Sequence, residues 1–278
     1  MDYGGFRMRL APLAAVLTVA ALAAAQQSDS KPPDPKPPLT FDVAAIKATP
    51  PDERRGIVHQ LPGGQTYEAI GASLRVIMTV AYSVTDRQIS GGPDWVNADR
   101  WNIEAKSERR GTSDELHDAL ARLLEDRFKL KVRHEKRDMP CYILTVDKKG
   151  AKLPEHDPAD LVHEPIAGGF QDGQLQMNGQ NATMNYFAFF LSRGLDRNVV
   201  DQTGLTARYD IKYHYIPDLP NGGRRPDGSP VMVNGEPVAL DGPNIFTALR
   251  DQLGLRLEKG TGPVEYLVIE HVEKPSDN

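Results

Sequence analysis

From residue 39 onward the apolar positions fall into two rhythms, one of period two and one close to 3.6. Residues 41–46 (FDVAAI), 66–70 and 100–105 (RWNIEA) alternate as short strands. Ser73 precedes Leu74, Ile77, Met78 and Ala81, whose i, i+3, i+4, i+7 spacing predicts a capped helix. Thr112 stands three residues before Glu115, the spacing of a capping box. Leu116, Leu120, Leu123, Leu124 and Phe128 then form the apolar stripe of a second helix. Residues 129–134 and 141–146 read as two further strands, joined through 135–140.

The same order recurs downstream. Residues 174–177 read as a strand, and Thr183 can cap a helix carrying Met184, Phe187, Ala188 and Leu191. RYDI at 208–211 stands where RWNI stood at 100–103, LRDQLGLRL at 249–257 echoes LEDRFKLKV at 124–132, and PVEYLVI at 263–269 matches PCYILTV at 140–146. The offsets are 110 for the first helix, 108 for the strand, 125 for the second helix and 123 for the last match. Similarity at such long spacings is the mark of internal duplication. The step from 108 to 125 places a 17-residue insertion between Ile216 and Pro243, with a small hairpin turning on Asn234-Gly235. The expected architecture is therefore α+β: two tandem β-α-β-α-β-β units at 39–153 and 173–278, mainly antiparallel, with helices on one face of each sheet. A polar linker at 154–172 joins them, and the hairpin insertion spans 217–243. Periodicity does not choose between separate domains and one shared sheet.

The N-terminus has a different texture. Arg7 and Arg9 precede an uncharged Ala/Leu/Val run, and small residues at 23–25 precede two glutamines, the layout of a cleavable secretory signal over 1–25. Residues 26–38 hold five prolines and read as an extended spacer. No later segment reaches spanning length, so a periplasmic or secreted protein without a transmembrane segment after cleavage is expected. Composition narrows the function classes. A formal charge of −5 gives no basic footprint for nucleic acid, and one cysteine supplies neither an internal disulfide nor a cysteine-based metal site.

No complete catalytic pattern follows, and the reading leans against an enzyme. His134-Glu135 begins an H-E-x-x-H motif that the next residues abandon, and no G-x-S-x-G elbow occurs. Cys141 reads as a small buried hydrophobe, and His117 falls on the exposed side of its helix. His156, Asp157, Asp160, His163 and Glu164 cluster in the linker, but a solvated loop accounts for them better than zinc, so no metal or cofactor is assigned. Trp101 and Tyr209 hold equivalent core positions. Trp95 with Asp94 after the Gly91-Gly92-Pro93 turn, and Arg224 with Arg225 in the glycine-rich insertion, are the candidate binding surface. A hydrolase using carboxylates or a loop-held metal is the alternative, with Asp94, Asp99, Glu104, His156 and His163 as its first candidates.

Several strings together resemble one family: ISGGPDWVNADRWNIEAK at 89–106, LLEDRFKLKVRHEKRDMPCYILTVDKKGAKL at 123–153, VVDQTGLTARYDI at 199–211 and PVEYLVIEHVEKPSDN at 263–278. It is the soil-associated secreted family expanded in Solibacter-type acidobacteria, a domain of unknown function. Related domains are fused to BlaR-type membrane metallopeptidases, whose zinc motif and membrane helices this chain lacks. The resemblance implies export and an extracytoplasmic sensing or regulatory role. A shorter stretch, 245–269, is similar to the short N-terminal domains of secretins and TonB-dependent receptors, which bind protein partners. The expectation is an exported binding or interaction module with an envelope protein or wall ligand as partner, and strand addition at a sheet edge as the natural mode.

Overall fold

The computed structural model describes Met1 and residues 37–50, 55–61, 63–157, 160 and 165–275. The leader and most of the proline spacer, together with His163 and Glu164, lie outside the described residues. The chain divides into Met1–Pro37 and Pro38–Asn278, and every described strand and helix lies in the second unit.

Its first sheet has strand order β1-β5-β3-β2 and is antiparallel throughout, with β1 at Val43–Ala48, β2 at Ile57–Gln60, β3 at Thr66–Ser73 and β5 at Arg100–Lys106. Alternation decides its faces: Trp101, Ile103 and Ala105 are buried, while Glu104 and Lys106 are exposed. Helix α1 (Leu74–Ala81) starts where the Ser73 hydroxyl accepts the Val76 N–H, and it buries Leu74, Ile77, Met78 and Ala81. It ends in a Schellman closure: the Ser83 N–H reaches Val80 O at 3.1 Å and the Val84 N–H reaches Thr79 O at 2.9 Å. A short strand β4 (Ile89–Gly91) and the single turn α2 (Trp95–Ala98) lead to β5. Helix α3 (Ser113–Arg127) begins with a complete capping box. The Glu115 N–H donates to Thr112 Oγ1 at 3.2 Å and the Thr112 N–H to Glu115 Oε2 at 2.9 Å. Its buried leucines each contribute about 1.5–3 kcal/mol through burial.

The second half carries β7 (Ala167–Gln171), β8 (Gln174–Ala182), α4 (Met184–Gly194), β9 (Val199–Asp201), β10 (Tyr209–Tyr215) and α5 (Ile245–Leu253). A three-stranded antiparallel sheet runs β10-β8-β7. In the insertion, β11 (Met232–Val233) and β12 (Glu236–Pro237) close over Asn234 and Gly235, both at positive φ (51° and 87°) as a type I′ turn requires.

One element departs from the sequence reading. Residues 129–146 are not two strands with a turn. They form one 16-residue strand, β6 (Lys131–Val146), and the chain ends in an equally continuous 17-residue β13 (Leu255–His271). The two pair antiparallel from Leu255↔Val146 to His271↔Lys131. The polar stretch 135–140 imitates a turn because it spans between two hydrophobic cores. Leu130 and Val132 enter the first core, and Tyr142 and Leu144 enter the second. β13 does the reverse: Leu255 and Leu257 pack in the second core, Leu267 and Ile269 in the first. β4 adds to β13 in parallel at Leu267↔Ile89, and β9 adds to β6 in parallel at Tyr142↔Val199. Those two pairs differ by 125 and 110 residues, the spacings seen in the sequence. Each core is thus closed by a strand that begins in the other half.

Candidate ligand groove

The ends of α1, α3 and α4 converge on this ribbon and leave a groove. One cavity of about 300 Å³ lies between Tyr82, Ser83, Asn185, Asn198 and the ribbon residues Lys136 and Glu265. A second, of about 710 Å³, shares Tyr82, Ser83 and Asn185 and adds Asp114, Asp118 and Glu125 of α3 with His134 of β6. A third, of about 450 Å³, continues past Glu125 and His134 to Lys131 and Val132. The three lie side by side, the first two sharing Tyr82, Ser83 and Asn185 and the last two sharing Glu125 and His134.

His117 forms part of its wall and corrects the expectation of an exposed side chain. It is only 5 % exposed, with its ring edge-on to Tyr67, Tyr186 and Phe189 at centroid distances of 5.9, 5.6 and 6.3 Å. Helical periodicity misplaced it because α4, from the other half, covers that face of α3. Burial, helped by the Arg193 charge, pulls its pKa down to about 4. Ser83 Oγ and His117 Nδ1 form a 2.9 Å hydrogen bond. Ser83 sits at φ 52°, a helix-ending position that glycine adopts without strain. A serine–histidine pair invites a nucleophilic reading, but an imidazole with a pKa near 4 is a weak base for a hydroxyl proton. The bond satisfies a buried ring and ties the end of α1 to α3.

Charge along the groove is mixed. Burial raises the Asp114 pKa even though Arg208 pairs with it at 3.0 Å. His134 pairs with Glu265. Among the described residues, Asp118, Lys131 and Lys136 form no ion pair.

The residues singled out from sequence lie elsewhere. Asp94 precedes α2 as an exposed residue without a side-chain capping bond. Trp95 packs against the first core, with the Lys274 ammonium 5.7 Å from its ring centroid, and Lys274 also pairs with Asp99 at 2.6 Å. Glu104 is exposed on the first sheet. Arg224 and Arg225 are exposed in the insertion, bonded to Gly228 and Ser229 within their own loop. Cys141 is fully buried, which raises its thiol pKa.

His156 has a structural role. Its ring approaches Asp210 Oδ1 through Nδ1 at 2.7 Å and the Asp160 carbonyl through Nε2 at 3.2 Å. Burial opposes the charged form, but these acceptors outweigh it and the pKa rises. Both ring nitrogens are thus engaged by acceptor oxygens. No cluster of three or more potential metal-ligating side chains occurs among the described residues. Thr49 holds the matching place in the first half. Its N–H donates to Arg100 O at 2.9 Å as that of His156 does to Arg208 O at 2.8 Å, and its hydroxyl donates to Asn102 Oδ1 at 3.2 Å.

A family profile described as a protein of unknown function, DUF3738, matches residues 75–272. The chain belongs to this family. Comparison with curated proteins and with solved structures returned no match. The DUF3738 match runs from the first turn of α1 to just beyond β13, so it contains both halves of the ribbon and every groove residue named above. Tyr82, Ser83 and Asn185 carry no motif in the sequence. Two pairs of residues 110 apart, Tyr82 with Ser192 and Gln88 with Asn198, line the cavity of about 300 Å³.

Proposed function

We propose that this DUF3738 chain is an exported binding module of the cell envelope, carried out by the 1–25 leader and held off by the proline spacer, and that its partner occupies the groove at the ribbon. The observation that carries this reading is the adjacency of the three cavities, two of which take walls from both halves. Concave sites at such junctions are where ligands most often bind. The lining fits recognition by hydrogen bonding, with Ser83, Thr183, Asn185 and Asn198 beside the Tyr82 ring. No helix among the described residues is long and apolar enough to cross a membrane.

The test is capture from the native envelope by immobilised mature chain after brief crosslinking. Asn185→Trp, which fills the groove from an exposed position, removes the retained species. Arg224→Ala/Arg225→Ala and Trp95→Ala leave it in place. Retention lost only in the latter variants would move the site to the insertion or to α2. The hydrolase alternative gains no support here, since Asp99 is tied to Lys274 and Glu104 lies on the first sheet.

A further inference from the structure

One wall of the groove is a strand edge. β6 pairs with β13 along its whole length, but on its other side only Tyr142–Leu144 has a neighbour, β9. From Lys131 to Pro140 no backbone partner lies on that side among the described residues. The cavities of about 450 and 710 Å³ border the start of this open edge at Lys131, Val132 and His134, with α3 opposite at Asp118 and Glu125. A groove between an open strand edge and a helix is the geometry in which an extended peptide adds a strand, its main chain completing the ladder.

We propose that an extended segment of a partner protein, with acidic and small apolar residues in alternation, pairs with β6 along residues 131–139. This rests on the groove reading above and names its occupant. The row that shares a face with Lys131 holds Arg133, Glu135 and Arg137; Arg133 pairs with Glu135 and with Glu270 of β13, and Arg137 pairs with Glu135, so three cations face two carboxylates and Lys131 has no ion pair among the described residues. Acidic side chains of an added strand fall beside that row, where opposite charges attract. The other face of the strand carries Val132, His134 and Lys136, and the cavity beside it has apolar ground only at Ala81, Ala121 and the Tyr82 ring, among polar residues of α3 and α4, which leaves room for small apolar side chains there. The proline spacer of this chain is excluded as occupant, since five prolines in 26–38 leave too few N–H groups for a ladder. The matching edge of β13 is unsuited, because Gly260, Gly262 and Pro263 stand there.

The probe is a fluorescein-labelled octapeptide of alternating aspartate and valine, with the block isomer of four aspartates and four valines as control. Fluorescence anisotropy measures affinity, and hydrogen exchange maps the contact on the mature chain. The alternating peptide binds at least tenfold tighter than the block isomer and slows exchange of alternate amides between 131 and 139. Lys131→Glu/Arg137→Glu weakens binding at least tenfold, and so does Glu125→Trp, which changes an exposed side chain and plugs the groove without touching the strand. Equal affinity for both isomers, or unchanged exchange at 131–139, overturns the proposal. So does protection of those amides that grows with protein concentration without peptide, which assigns the edge to a second copy. If the edge amides stay unprotected while Asn185→Trp still abolishes envelope capture, strand addition fails and the groove reading stands. If capture is also indifferent to Asn185→Trp, both fail.

Discussion

Leu267→Ala places its damage in the half of the protein to which the residue does not belong by sequence. Leu267 is fully buried near the end of β13 and packs in the first core beside α1 and α3. Losing three carbon groups at about 0.8 kcal/mol each removes about 2.4 kcal/mol of burial. The cavity left behind, at about 24 cal/mol per Å³, adds about 1 kcal/mol. A loss of about 3–4 kcal/mol follows, measurable as a shift in the urea midpoint at unchanged slope. Native-state hydrogen exchange then localises it. Amides of α1 and α3, about 140–190 residues away in sequence, lose protection ahead of those of α4 and α5. Leu144→Ala supplies the mirror experiment, since Leu144 is equally buried but closes the second core. Loss of protection in α4 and α5 on Leu267→Ala would refute the exchange of strands between the two cores.

Three other outcomes follow from the same packing. The raised pKa of His156 stabilises the fold below the ordinary histidine value and is lost as pH rises through the folded value, so the stability gap between wild type and Asp210→Asn narrows from pH 5.5 to pH 9 in denaturant titrations. His117 has the opposite sign: its neutral form is favoured by folding, so stability is full above pH 6.5 and falls toward about 4, and His117→Gln flattens that acid limb in thermal melts. Ser83→Ala loses the bond to His117 yet keeps the left-handed strain, so it costs about 1 kcal/mol more than Ser83→Gly, which relieves strain of about 1–2 kcal/mol, as compared by chemical denaturation.

Local chemistry was readable from the chain where local bonds decide the structure. The Ser73, Thr112 and Thr183 caps and the Asn234-Gly235 turn each depend on neighbours within about four residues, and each is found where its spacing indicated. The α+β class with mainly antiparallel sheets follows from the same alternations. What escaped depends on contacts between segments far apart. Residues 135–140 have a turn's polarity, and only the distant partner β13 makes them a strand. His117 looked exposed because α4 of the other half covers it. The groove residues carried no motif at all, since a helix end, a capped helix start and a strand middle become one surface only after the halves interlock.

A photocrosslinking amino acid placed at Asn185 in the intact envelope reads out most directly where the ligand sits. A discrete crosslinked product is expected from position 185, lost when Glu125→Trp is added, and none from the same group at Arg224. A product from Arg224 with none from Asn185 would contradict the groove reading and place binding on the insertion.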